Sequence, residues 1–202
     1  MTDFDGTLVT KDVLDVVCGI VDKEKESRNL NEAFQKGKMP GKETLIKRIN
    51  FLKGVSVGQI KSKLDENNYY MPGLVELMDF LKKNKIVVIL YSGNIIPILL
   101  YYKDKLHIDY VVGTTPKMNG DTILGISEDD FPARSWKIAG IEKALDSHKL
   151  DFSDCLAIGD SAADKVVFDK ASLCIAINPK GGIEETADYV VNDLYEVLGI
   201  LE

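Results

Sequence analysis

The chain has 202 residues, with 32 acidic against 25 basic side chains and a formal net charge of −7. That length buries a substantial core and accommodates one α/β domain with a smaller insert. The acidic balance, with no basic stripe interleaved with aromatics, argues against a nucleic-acid partner, and no run approaches the ~20 apolar residues of a membrane span.

In chain order, the first feature is Asp3-Phe4-Asp5-Gly6-Thr7, two carboxylates one residue apart on an extended start. Gly6 permits a tight turn and Thr7 can hold it with a local hydrogen bond; the same composition also suits a plain surface turn. Only Met1 and Thr2 precede Asp3, short for a strand of about five or six residues. An apolar N-terminal extension is therefore expected to raise stability and activity. From Asp12 to about Asn68 the pattern is helical without a convincing strand, and a break follows at Met71-Pro72-Gly73. Beyond it the elements alternate: helix over 74–83, strand over 85–91, helix over 95–105, strand over 110–115, a hairpin at Met118-Asn119-Gly120-Asp121, helix over 135–150, strand over 155–158 closed by Gly159, helical character over 162–171 with Val166 and Val167 inward, and strand over 173–177. Such alternation predicts an α/β fold, a Rossmann-like parallel sheet with helices on both faces and a small helical cap inserted after the first strand. The division is core over 1–11 and 72–202, cap over 12–71.

Asn178-Pro179-Lys180-Gly181-Gly182 reads as a flexible loop and Ser127-Glu128-Asp129-Asp130 as a solvated one, while the pairs Tyr69-Tyr70 and Tyr101-Tyr102 are expected to pack core against cap. His107 and His148 read as surface residues. Cys18, Cys155 and Cys174 form no Cys-x-x-Cys pair, and the opening residues are unlike a signal peptide, so a reduced cytoplasmic setting is expected.

Asp160 falls where the strand over 155–158 passes to a helix. Ligands of open α/β sheets bind beyond the carboxyl ends of the strands, where Asp3, Asp5 and Asp160 can meet. Each close carboxylate pair repels by roughly 4 kcal/mol at an effective dielectric of about 20, so a cation is required between them. Oxygen donors without His or Cys suit Mg²⁺.

These residues, with Ser92-Gly93 after the second core strand, Lys137, and Gly159-Asp160 followed by Asp164, stand in the order of the haloacid dehalogenase superfamily motifs. The chain resembles phosphatases of that superfamily, in particular the phosphoserine phosphatases. The resemblance implies that Asp3 is the nucleophile that forms an aspartyl-phosphate, that Asp5 is the acid and base, and that Asp3, Asp160 and the Asp5 backbone carbonyl hold Mg²⁺. Ser92, Gly93 and Lys137 would bind the transferring phosphate, and Asp164 would orient Lys137 or a metal-bound water. Lys143 lies on the same helix, and comparison with the family favours Lys137. Ser92 could also cap a helix beginning near Asn94.

Cap residues follow by the same comparison. Asp12 and Arg48 match positions that contact the substrate's amino and carboxylate groups, chemistry that suits an ammonium on a carboxylate and a carboxylate on a planar guanidinium. The plainer readings are helix-dipole stabilisation after a Thr10 cap for Asp12, and a surface ion pair for Arg48. Three departures stand out: Asp12 is one methylene shorter than the usual Glu, Ala163 replaces a frequent Asn, and Gln35 and Gly41 fall where apolar lid residues are expected. The implied activity is Mg²⁺-dependent hydrolysis of a small phosphomonoester, phosphoserine or a similar acid. The alternatives are a phosphotransferase of the same superfamily or a catalytically weak phosphate-binding protein.

Overall fold

A computed structural model describes residues 1–131 and 135–202. After the opening turn come four helices, α1 (Val13–Cys18), α2 (Glu24–Gln35), α3 (Gly41–Phe51) and α4 (Val57–Asp65). The remainder runs α5 (Leu74–Lys83), β1 (Ile89–Ile95), α6 (Ile96–Leu106), β2 (Tyr110–Thr114), β3 (Lys117–Asn119), β4 (Thr122–Gly125), α7 (Trp136–His148), β5 (Leu156–Ser161), α8 (Lys165–Phe168), β6 (Leu173–Lys180), β7 (Tyr189–Val191) and α9 (Leu194–Leu201).

Parallel pairings β1 with β2, β5 with β6 and β6 with β7 make the sheet, and Thr2 bridges Leu90 and Ile158 in parallel between the two halves. The opening residues thus form a stub at the sheet's centre. Thr2 N donates to Ile89 O and Tyr91 N to Thr2 O, both at 2.9 Å, while Asp3 N donates to Ile158 O at 2.9 Å and Ile158 N to Met1 O at 3.0 Å. Side chains alternate across the sheet with period two. Leu90, Ile158, Ile175 and Ile177 join Phe4, Leu14 and Leu99 on one face; Ile89, Tyr91, Ala157 and Ala176 join Ile141, Leu145 and Val167 on the other. Burial on both faces is what a parallel sheet under two helical layers requires.

The helical segment is tied to the rest through aromatics, polar side-chain contacts and backbone hydrogen bonds to the β3–β4 hairpin, among them Gly54 N to Ile123 O and Val57 N to Asp121 O, both at 2.8 Å. Phe4 meets Tyr102 edge-on at 4.8 Å between centroids, Tyr70 lies 6.3 Å from Tyr102, and the Tyr101 hydroxyl donates to Asp65 of α4 at 2.7 Å. The expected packing role of these tyrosines holds. The β3–β4 hairpin forms as expected, and both histidines are exposed.

Four boundaries differ from expectation. The strand read over 85–91 begins at Ile89, because α5 ends with Lys85 in the left-handed region (φ 57°) and Ile86 N donates back to Leu81 O at 2.9 Å. Helix α6 starts at Ile96 rather than near Asn94, with Ile95 as its cap residue, so Ser92 caps nothing and lies inside β1. Strand β5 passes through Gly159 to Ser161, after which a 3-10 turn and the four-residue α8 replace the longer helix; Val167 is buried but Val166 is half exposed. Strand β6 runs to Lys180, past the expected end at 177, and takes in part of the expected loop.

Candidate active site

Asp3, Ser92, Asp160 and Lys180 all sit at the carboxyl ends of the central strands, the place the topology reserves for a ligand. The carboxylates of Asp3, Asp160 and Asp164 are buried, and one oxygen from each lies within 4.8 Å of the others. Burial, reinforced by Asp164, holds the Asp3 carboxyl well above the usual carboxylate range, and burial raises that of Asp164.

Local backbone explains how they come so close. Gly6 has φ 87°, and a Cβ there would lie 2.8 Å from Asp160 Cγ, so only glycine passes the carboxylate. Asp164 folds back over the strand end: its Oδ2 accepts from Asp160 N at 3.2 Å and Ser161 N at 3.1 Å. Its Oδ1 is buried without a hydrogen-bond partner, 3.7 Å from Lys137 Nζ. Lys137 comes from the first turn of α7 and lies 5.1 Å over the Tyr91 ring. An unpartnered buried carboxylate oxygen beside two further carboxylates, all hard donors, fits a divalent cation of the Mg²⁺ kind.

Asp5 turns away from this cluster. Its Oδ1 accepts from Val13 N at 2.7 Å at the start of α1, its Oδ2 accepts from Asn94 Nδ2 at 3.1 Å, and Ser92 Oγ stands 3.5 Å from the same oxygen. Burial first, then the Asp12 charge, pushes Asp5 up to about 8. The Asp5 side chain is thus not a member of the carboxylate cluster; Asp164 is.

Above the strands a cavity of about 1280 Å³ is lined by Asp3, Asp5, Ser92, Gly93, Lys137 and Asp160 below, and by Asp12, Asn31, Thr44 and Arg48 from the helical segment. A Cβ on Gly93 would meet Leu45 of α3 at 3.2 Å, so the helices come down directly on the Ser92-Gly93 turn. Gln35 and Gly41 both line this cavity. Phe34 lies where a Cβ on Gly41 would touch its ring at 3.0 Å, and the aromatic fills the space the missing side chain leaves.

Asp12 and Arg48 do meet, but on each other. Asp12 is itself the N-cap of α1, accepting from Asp15 N at 3.0 Å, which overturns the Thr10 cap. Arg48 is buried, not on the surface: Nη2 pairs with Asp12 at 2.5 Å and Asp15 at 3.0 Å, and Nε donates to Ser27 Oγ at 2.9 Å. Asn31 Nδ2 donates to the other Asp12 oxygen at 2.9 Å.

Four residues escaped the sequence reading: Asp15, Asn31, Asn94 and Lys180. Asp15 carried a signal, three residues after Asp12 on one helix face. Lys180, whose Nζ lies 3.0 Å from Asp160 Oδ2, was hidden in an apparent loop.

A family model of the haloacid dehalogenase-like hydrolases matches residues 1–167. The chain belongs to that family. It is 27% identical over 198 residues to the phosphoserine phosphatase of Methanocaldococcus jannaschii, covering 97% of this chain and 93% of that protein. The phosphoserine phosphatase of Archaeoglobus fulgidus is 26% identical over 92% of this chain, which spans 54% of that longer protein. Among solved structures, a phospho-aspartyl intermediate analogue of phosphoserine phosphatase superposes with a TM-score of 0.82 at 26% identity, covering 98% of this chain and 96% of that one. A substrate-bound phosphoserine phosphatase gives the same score and identity, with 98% and 95% covered. The expected kinship, the fold class and the enzyme class, a phosphatase, stand with these findings.

Proposed function

We propose that the chain is a Mg²⁺-dependent phosphomonoester hydrolase that works through an aspartyl-phosphate on Asp3 and acts on phosphoserine or a similar small phosphorylated acid. The observation that carries this reading is the meeting of Asp3, Asp160 and Asp164 at the strand ends with Lys137 beside them. Asp3, Asp160 and Asp164, with the Asp5 backbone carbonyl, would hold Mg²⁺, which when bound offsets the negative charge of the phosphoryl group. An Asp3 carboxylate oxygen attacks phosphorus and the bond to the leaving oxygen breaks. Asp5, protonated at neutral pH because its pKa is near 8, gives that oxygen its proton. Water then attacks the phosphoryl group, the bond to Asp3 breaks, and Asp5 takes the water's proton. Ser92 Oγ and the Gly93 amide supply donors to the transferring oxygens, and Lys137 their countercharge.

Residues 12–71 act in this reading as a cap over the core of 1–11 and 72–202, with Leu45 and Phe34 excluding water from the cavity. A zwitterionic head would exchange with the Asp12–Arg48 pair, its ammonium on Asp12 and its carboxylate on Arg48. Cys18, Cys155 and Cys174 are all free and buried, which supports a reducing, cytoplasmic setting. No helix of the described residues is long and apolar enough to cross a membrane.

The test is inorganic phosphate release with Mg²⁺ and no added acceptor, across L-phosphoserine, phosphothreonine, phosphoglycolate, a sugar phosphate and an aryl phosphate. Preference for phosphoserine supports the whole reading. Release from the aryl phosphate alone discards the Asp12 and Arg48 assignment, and release that depends on an added alcohol replaces hydrolysis with phosphotransfer.

A further inference from the structure

Lys180 lies outside the roles assigned so far. It is the last residue of β6, opposite Ser161 in the parallel register, so its Cα stands one strand away from the acidic strand end. The stem is exposed, yet Nζ reaches inward to 3.0 Å from Asp160 Oδ2, and Asp160 is almost fully buried. The same Nζ lies 3.5 Å from where a Cβ on Gly6 would stand, so nothing separates it from the turn that carries Asp3 and Asp5. Lys137 approaches the carboxylates through Asp164 and Lys180 through Asp160, so the two ammonium groups reach different members of the cluster.

Charge arithmetic gives the second lysine a purpose. Three carboxylates against Lys137 and a divalent cation leave no net charge, and a neutral site has little attraction for a phosphate dianion. The side chain of Ala163, on the turn between these lysines, is apolar, and only its carbonyl meets a lysine, accepting from Lys137 Nζ at 3.4 Å.

We infer that Lys180 is a second phosphate-binding cation of this site, held on Asp160 when no phosphate is bound and turned to the phosphate oxygens when one is. This rests on the phosphatase reading for the identity of the anion. The same positive charge opposes a divalent cation at Asp160, so Lys180 raises phosphate affinity at some cost in metal affinity.

The two effects have opposite signs, and calorimetry separates them. In the Lys180→Met protein with Mg²⁺ present, the dissociation constant for inorganic phosphate should rise about tenfold, the scale of one charge-assisted hydrogen bond. In the same variant without phosphate, Mg²⁺ should bind more tightly, by about threefold or more. Lys180→Arg should restore phosphate affinity, since it keeps the charge. Weakening of both affinities would mean a structural role, and unchanged phosphate affinity would mean that Lys180 is only a surface ion pair; either result overturns the inference. If the unaltered protein releases phosphate from no ester, the phosphatase reading fails, and the calorimetric comparison still decides the part played by Lys180.

Discussion

Replacing Asp5 with Asn should separate the catalytic use of this carboxyl from its effect on folding. In the folded protein its pKa is raised from 3.8 to about 8, chiefly by burial and then by the Asp12 charge. The folded state therefore holds the Asp5 proton more tightly than the unfolded chain does. That contribution to stability is complete below about pH 4 and is lost as the pH climbs through 8. Each pH unit in that window is about 1.36 kcal/mol, so between pH 5 and pH 8 the natural protein should lose on the order of 4 kcal/mol through this one group. Asparagine does not titrate and can still accept from Val13 N, so Asp5→Asn should lack that part of the slope. Its stability relative to the natural protein should rise by about 2–4 kcal/mol over the same interval. Urea unfolding at a series of pH values, with chelator present to keep divalent ions away, measures the difference directly. Turnover with Mg²⁺ should fall by about 10²–10⁴ in the variant, the usual worth of a positioned acid and base. A stability difference that stays flat from pH 5 to pH 8 would refute the argument that Asp5 is held protonated. Unimpaired turnover would remove it from the mechanism.

Other perturbations follow from the same geometry. Arg48→Met leaves Asp12 and Asp15 facing each other without their guanidinium, and urea unfolding should show a loss of about 3–5 kcal/mol; Arg48→Lys should rescue little of it, since one ammonium cannot serve Ser27, Asp12 and Asp15 together. Gly6→Ala puts a methyl group against the Asp160 carboxylate in a left-handed backbone, so melting temperature should fall by the equivalent of about 1 kcal/mol or more, together with Mg²⁺ affinity. Excess EDTA should abolish phosphate release and Mg²⁺ should restore it. Mg²⁺ at a hundred times its dissociation constant should stabilise the fold by about 2.7 kcal/mol in a thermal shift, and full turnover in EDTA would remove the metal from the reading.

The alternation of helices and strands was legible because each strand is a short apolar run closed by turn residues. Its boundaries were less so. Lys85-Ile86-Val87-Val88 carries every local mark of a strand, but closing α5 requires Lys85 in the left-handed region, and Ile86 is drawn back to Leu81. Helix termination won over strand propensity there. In the site, strand-end position alone brings Asp3 and Asp160 together, along with Asp5, whose side chain turns away; Lys137 and Asp164 are placed by resemblance to the family. Lys180 is placed by neither, since its contact with Asp160 depends on β6 running three residues further beside β5 than its apolar run suggests. The Asp12–Arg48 pairing depends on α1 and α3 lying side by side, a tertiary fact with no trace in local spacing.

Asp3, the nucleophile of the proposed reaction, takes its position from its neighbouring strands. Asp3 follows a stub whose amides and carbonyls bond to β1 on one side and β5 on the other. Leu90 and Ile158, which flank Thr2, are themselves anchored in the core, so the direction in which Asp3 points is inherited from two longer strands rather than set by its own. The residues it must meet come from those same strands: Ser92 lies two positions beyond Leu90, and Asp160 two beyond Ile158. Both strands shift register at these ends, β1 between Tyr91 and Ile95 and β5 between Gly159 and Ser161, so these side chains leave the regular alternation where they approach Asp3. Core packing and alignment of the reacting groups therefore rest on one set of hydrogen bonds, and a substitution that loosens either flanking strand should misplace the nucleophile before it unfolds the sheet.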